Sequence, residues 1–146
     1  MTAFNLEVVQ ILGGAEVFGG DVHSQLNIAD VVGAGLPPSS LGIVKGAVGL
    51  TSAEVAELIG VTTRTMSRLA KQSRVLSPVV SDRLYRVVSI YALAKDVLED
   101  GDFAREWLRT PQYGLGQRVP LDLLNTEAGT REVESLLSRI EYGVLT

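Results

Sequence analysis

A stretch of 20 residues, 52–71, constrains the fold of this chain more than any other, and it reads SAEVAELIGVTTRTMSRLAK. Counted from Ser52, positions 4, 8, 10, 15 and 18 are apolar, position 5 is alanine and position 9 is glycine. Two short helices packed against each other need this pattern, with a small residue where they cross and glycine at a turn of positive φ. The pattern therefore predicts a helix-turn-helix, whose second helix usually enters a DNA major groove. The seven positions hold Val55, Ala56, Ile59, Gly60, Val61, Met66 and Leu69.

Basic residues are concentrated in and just after this motif. Residues 60–86 hold six arginines and lysines against one acid, a net charge of +5, whereas the rest of the chain holds seven against sixteen, a net charge of −9. The whole chain has a net charge of −4, so the positive charge is localised where the motif would meet phosphate. A merely solvated charged face is the alternative, and the difference in sign argues against it.

Side chains at the start of the second helix are the candidates for DNA contact. Arg64 and Arg68 can each present two donors to a guanine edge, and the nearby hydroxyls can reach bases or phosphates. Lys71 and Arg74 lie further along and suit phosphate. A helical hairpin used only for packing is the competing interpretation. The predicted DNA-binding residues are Thr62, Thr63, Arg64, Ser67, Arg68, Lys71 and Arg74.

Apolar periodicity elsewhere predicts helices and no convincing strand, so the fold class is all-α. We expect a DNA-binding domain (26–77), a long connecting helix (78–100) and a small helical C-terminal domain (101–146). The sequence leaves the N-terminal segment (1–25) undecided. Gly101 is expected to end the long helix and Asp102 to cap the next one. Gly129 or Thr130 should open the last helix.

Aromatic residues of the C-terminal half suggest how it packs. Trp107, at helical spacing from Phe103, is expected in the core, with an interface anchor as the alternative. The loop 111–120 is expected to dock on the helices through Tyr113 and Leu115.

Signals for other functions are weak. The chain has no cysteine and one histidine, His23, which is far short of a zinc site, so we expect no metal, no cofactor and no enzyme activity. The acidic cluster from Asp96 to Asp102 lacks calcium-loop spacing, which leaves a solvated face or a partner surface. Neither a signal peptide nor a membrane-spanning run is evident, and we expect a cytoplasmic protein.

The C-terminal half resembles a known family. The motifs that match are Ala104-x-x-Trp107-Leu108, Pro111, Leu115-Gly116, Pro120-Leu121-Asp122-Leu123-Leu124, Thr126, Gly129 and Arg139-Ile140-Glu141-Tyr142-Gly143. Residues 63–66 and 81–86 look like the recognition helix and long-helix start of the same family. Together these features resemble the Xre/MbcA/ParS antitoxins over about residues 26–146. Many members have Leu-Gly-Gly where this chain has Leu115-Gly116-Gln117.

Similarity to this family implies a type II antitoxin with an Xre-like helix-turn-helix domain and a C-terminal toxin-binding domain. The implied partner is a RES-domain toxin, related to ADP-ribosyltransferases, that consumes NAD⁺. The antitoxin would cover the active site of the toxin. Its other half would repress the shared operon as a homodimer on operator DNA, which we expect to be palindromic.

The C-terminal tail is the segment expected to contact the toxin. Val144 and Leu145 follow the helix-ending Gly143 and have no obvious core of their own. Such a tail can insert into a cleft of the partner or fold back on its own helix. The predicted toxin-binding residues are Arg139, Glu141, Tyr142, Val144, Leu145 and Thr146.

Two other functions compete with this one. A stand-alone transcription regulator would use the C-terminal domain for dimerisation or effector binding. An interaction protein of the polar-localising kind would need neither toxin nor DNA.

Overall fold

The computed structural model describes residues 3–18 and 25–143 and confirms an all-α fold. Within that part the regular elements are helices, and a single antiparallel bridge joins Gln112 to Arg118. Two 3₁₀ turns, Tyr113–Leu115 and Pro120–Leu123, lie between the last two α-helices. The α-helices are α1 (Ala3–Ile11), α2 (Gly14–Phe18), α3 (Gln25–Ala34), α4 (Ser39–Val48), α5 (Ser52–Ile59), α6 (Thr63–Lys71), α7 (Pro78–Leu98), α8 (Gly101–Leu108) and α9 (Glu127–Glu141).

The chain forms two compact units, Met1–Val88 and Ser89–Thr146. The predicted connecting helix, α7, is shared between them: its residues up to Val88 belong to the first unit and the rest to the second. Apolar residues at helical spacing along α7 are buried, among them Val80, Leu84, Val87 and Tyr91.

The first unit is built around the helix-turn-helix. Val55, Ile59 and Met66 are buried, as the motif requires, so α5 and α6 pack through apolar side chains. A separate apolar cluster of Val9, Ile28 and Val32 lies elsewhere in the unit, with Phe18 and Tyr85 packed against it. The N-terminal helices therefore add to the core of this unit, which the sequence left undecided.

The buried apolar residues of the second unit include Trp107 and Leu108 of α8, Leu124, and Val133, Leu136 and Leu137 of α9. Trp107 is 7% exposed and is therefore a core residue. Phe103, by contrast, is 52% exposed and lies outside the core.

Two local predictions at the junction of α7 and α8 are wrong. The long helix ends at Leu98, Glu99 takes the left-handed conformation, and Asp100 rather than Asp102 caps α8 by accepting a hydrogen bond from the Phe103 amide. Asp100 is the cap because its carboxylate lies three residues before an amide that has no partner within the helix, which is the geometry of an N-cap.

The last helix begins earlier than predicted, and Tyr113 does not dock. Thr126, rather than Gly129 or Thr130, caps α9 through a 2.9 Å bond from the Gly129 amide to its hydroxyl. In the 3₁₀ turn Leu115 is buried, whereas Tyr113 remains 76% exposed.

Candidate functional sites

The helix-turn-helix is held in shape by its own backbone and side-chain bonds. Thr51 and Glu54 form a capping box at the start of α5. Their side chains accept hydrogen bonds from two backbone amides that have no acceptor within the helix. At its end, the Gly60 amide donates to Glu57 and the Val61 amide to Ala56 (3.1 and 2.9 Å), with Gly60 at φ +77°. This is a Schellman-type ending, and it confirms the predicted need for glycine at the turn.

The predicted DNA-contacting residues lie at the surface around α6. Arg64, Arg68 and Lys71 follow each other at spacings of four and three, which places them on one side of the helix, opposite to the buried Met66. Thr62 differs from the others because its hydroxyl caps α6, accepting from the Thr65 amide at 3.1 Å. The exposed residues of the set are Thr62, Thr63, Arg64, Ser67, Arg68, Lys71 and Arg74.

These cations are available to an external anion. In the part of the chain that the structure describes, Arg64, Arg68, Lys71 and Arg74 form no ion pair with a carboxylate. A helix that presents unpaired cations and hydroxyls on one face can bind a phosphate backbone and read base edges.

One basic residue of the charged window has a different place. Arg83 is half-buried on α7, and its Nη1 donates to the carbonyl oxygen of Ile59 at 2.8 Å. Arg83 is one of the six cations of the basic window, whose position predicts that they face DNA. Nothing in the local pattern shows that it bonds to a residue 24 positions earlier.

The predicted toxin-contacting residues lie at the end of α9. Glu141 and Tyr142 are exposed, Tyr142 to 79%, and Arg139 is half-buried. Gly143 follows at φ +70°, which ends the helix as predicted. Val144, Leu145 and Thr146 lie outside the described residues, as does His23.

A groove of about 490 Å³ opens on the second unit beside the start of α9. No sequence pattern predicted this groove. Gly129 lies in its lining, where an added Cβ would collide with the Leu123 carbonyl oxygen. Its lining includes Leu115, Arg118, Asp122, Leu123, Ala128 and Glu132.

The acidic residues around the start of α8 show no sign of cation binding. Asp102 pairs with Arg105 at 2.9 Å, and Asp100 caps the helix. Across residues 3–18 and 25–143, no group of three histidines, cysteines or carboxylates is placed to hold a metal ion. Of the helices that the structure describes, none has the length and apolar character needed to cross a bilayer.

Two family models match adjacent parts of the chain. The antitoxin Xre-like helix-turn-helix domain matches residues 28–89. The antitoxin Xre/MbcA/ParS C-terminal toxin-binding domain matches residues 93–143. The two matches fall on the two compact units and on the motifs that carried the resemblance in the sequence.

Curated relatives carry antitoxin names. A protein of Yersinia enterocolitica called Antitoxin Xre is 35% identical over 98 residues, which is 66% of this chain and 66% of that protein. The chain thus matches about two thirds of the length of this relative. A protein of a Sphingobium strain called Prs ADP-ribosylating antitoxin is 25% identical over 122 residues, 77% of each chain.

A solved structure shares the fold. The crystal structure of the M. tuberculosis MbcT–MbcA toxin–antitoxin complex contains a chain that matches with a TM-score of 0.55 and 24% identity. The match covers 75% of this chain and 96% of the other. At this identity the likeness shows the fold alone.

Proposed function

The chain belongs to the Xre/MbcA/ParS antitoxin family, and on that premise we propose that it neutralises a cognate toxin and represses its own operon. The observation that carries the proposal is the pairing of a toxin-binding domain with an Xre-like helix-turn-helix in one chain. We assign the toxin to the RES-domain class, which consumes NAD⁺. The system would then be of type II, in which one protein inhibits another by direct binding.

The end of α9 is the part of the second unit that we assign to toxin binding. Tyr142 supports this because an aromatic side chain that is 79% exposed gains much buried area when a partner covers it. Arg139 and Glu141 flank it with opposite charges, which suits a polar rim. Together with the tail Val144, Leu145 and Thr146, these residues would enter the active-site cleft and cover it.

Co-expression with the neighbouring gene tests the toxin-binding role. The chain should co-purify with that gene's product and restore growth that the product alone arrests, with NAD⁺ levels recovering at the same time. Deletion of residues 142–146 should abolish both effects. Replacement of the exposed Ser135 on α9 by alanine is the matched control and should leave both intact. Full protection by the truncated chain would count against insertion of the tail.

The helix-turn-helix is the part that we assign to repression. Its support is the row of cations on α6, which form no ion pair within the described part of the chain, and the motif geometry. A dimer would place two such helices on a palindrome, one helical turn apart. The replacement of both Arg64 and Arg68 by alanine should abolish binding to the promoter DNA while leaving toxin neutralisation unchanged.

A stand-alone regulator remains the second candidate, favoured by the same cationic face. It predicts DNA binding without any toxin in the neighbourhood, and a C-terminal unit whose removal leaves growth unaffected. We propose a binding protein rather than an enzyme. The purified chain, incubated with NAD⁺ and without toxin, should therefore leave NAD⁺ unconsumed.

A further inference from the structure

The carbonyl of Ile59, at the end of α5, accepts no hydrogen bond from the backbone amides that close the turn. The turn after α5 is closed by the amides of Gly60 and Val61, which donate to Glu57 and Ala56. The carbonyl of Ile59, the last helical residue, is bonded instead by the guanidinium of Arg83 at 2.8 Å. A cation at this end also meets the negative pole of the helix dipole. Arg83 therefore stabilises the ending of α5 in two ways.

Gly60 provides the space for this guanidinium. A Cβ atom built on Gly60 would collide with Nη1 of Arg83 and lie 3.3 Å from its Cζ. The backbone of Gly60 is at φ +77°, which asparagine also tolerates. Glycine is therefore favoured here for two reasons, the positive φ and the guanidinium of Arg83, which any side chain at position 60 would have to displace.

The same turn sets the direction of the recognition helix. Only Val61 and the capping Thr62 separate Gly60 from the first residue of α6. Arg83 lies on α7, and α7 is itself fastened to the unit because the buried Ser81 accepts a 2.8 Å bond from the Leu36 amide. The bond from Arg83 thus holds the turn against a fixed helix.

From these contacts we propose that Arg83 positions the recognition helix through the Ile59 carbonyl and does not bind DNA phosphate. This inference rests on the DNA-binding part of the proposed function. It separates Arg83 from Arg64, Arg68 and Arg74, which the sequence places in the same basic window.

The salt dependence of DNA binding distinguishes a positioning arginine from a phosphate ligand. The full chain and its variants are titrated with the promoter fragment upstream of its own gene at several salt concentrations. Arg83→Met should weaken binding about 10-fold, since a bond to a charged donor is lost, with the salt slope unchanged. Arg74→Gln, the matched control, should make the slope shallower by about 1. A slope change of that size in Arg83→Met would overturn the proposal.

A double-mutant cycle with Gly60 tests the contact itself. Gly60→Asn keeps a residue that tolerates positive φ but displaces the guanidinium, so it should weaken binding about as much as Arg83→Met does. In the Arg83→Met background the same change should add less than about 2-fold, because the clash is gone. If the two changes weakened DNA binding independently, so that their fold losses multiplied in the double variant, the proposal would be overturned. Arg83→Lys, which keeps the charge at the helix end, should recover part of the loss.

If the wild-type chain does not bind the fragment, the contact of Arg83 is tested in the free protein instead. That result would refute the repression part of the proposed function and leave the contact testable. Amide hydrogen exchange at Gly60 and Val61 should then be about 10-fold faster in Arg83→Met than in wild type or Arg74→Gln. Unchanged exchange at both amides would overturn the positioning role.

Discussion

The guanidinium carbon of Arg105 lies 5.2 Å from the centroid of the Tyr91 ring. Tyr91 is 2% exposed, and the Arg105 side chain is 35% exposed. This cation–π contact joins α8 to the part of α7 that belongs to the second unit. It also places the arginine beside Gly101, where an added Cβ would lie 3.4 Å from Nη1.

Arg105→Ala should lower the free energy of unfolding by about 1 kcal/mol, because a partly shielded cation over an aromatic face is lost together with the packing of its stem. Urea denaturation measures the change. Arg131→Ala is the control: it removes a 3.0 Å pair with Glu127 whose partners are 76% and 69% exposed, and should change the free energy by no more than about 0.5 kcal/mol. Equal losses in both variants would contradict a specific role for the Tyr91 contact.

Gly129→Ala should destabilise the second unit by about 1–3 kcal/mol, although alanine usually favours a helix. Its Cβ would collide with the Leu123 carbonyl oxygen and lie 2.9 Å from the Thr126 hydroxyl. Gly46→Ala in α4 is the matched control, since nothing lies within 4 Å of its Cβ, and it should stabilise by about 0.5–1 kcal/mol. Thermal unfolding of both variants checks the opposite signs. A stabilising Gly129→Ala would show that the close approach is absent.

Thr51→Ala should lower stability by about 1 kcal/mol through loss of the cap of α5. The Thr51 hydroxyl accepts from the Glu54 amide at 3.1 Å, and the Thr51 amide donates to the Glu54 carboxylate at 2.8 Å. Thr51→Ser keeps the oxygen and should unfold at nearly the wild-type denaturant concentration. If serine were as harmful as alanine, the hydroxyl bond could not be the cause.

Lys71→Gln should weaken promoter binding similarly for all DNA sequences and make the salt slope shallower by about 1, as expected for one lost phosphate contact. Fluorescence anisotropy at several salt concentrations, on specific and scrambled fragments, measures both quantities. Arg64→Gln should instead reduce the preference for the specific fragment, because a base contact is lost. If Lys71→Gln changed the preference for the specific fragment, the assignment of Lys71 to a phosphate contact would be wrong.

The sequence predicted those features that short-range patterns determine. The turn at Gly60, the burial of Met66 and the apolar stripe of α7 all follow from spacing, and the structure confirms them. Family motifs then identified the second unit from residues such as Trp107 and Tyr142.

Other features depend on competition between similar residues or on contacts between residues that are far apart in the chain. Asp100 and Asp102 are both good caps by type, and only the backbone path, with Glu99 at φ +62°, selects the first. The bond from Arg83 to Ile59 joins residues 24 positions apart, and no local pattern encodes it. We expected Tyr113 to dock on the helices because it is aromatic. Its burial, however, depends on neighbours that only the folded unit supplies.

Trp107, the one tryptophan of the chain, lies buried in the second unit. Its fluorescence is therefore an unlabelled optical signal from residues 89–146 alone, while circular dichroism averages over both units. If the units melt at different temperatures, the two signals will separate. Quenching of Trp107 emission would also report directly on what happens to the toxin-binding domain when a partner is added.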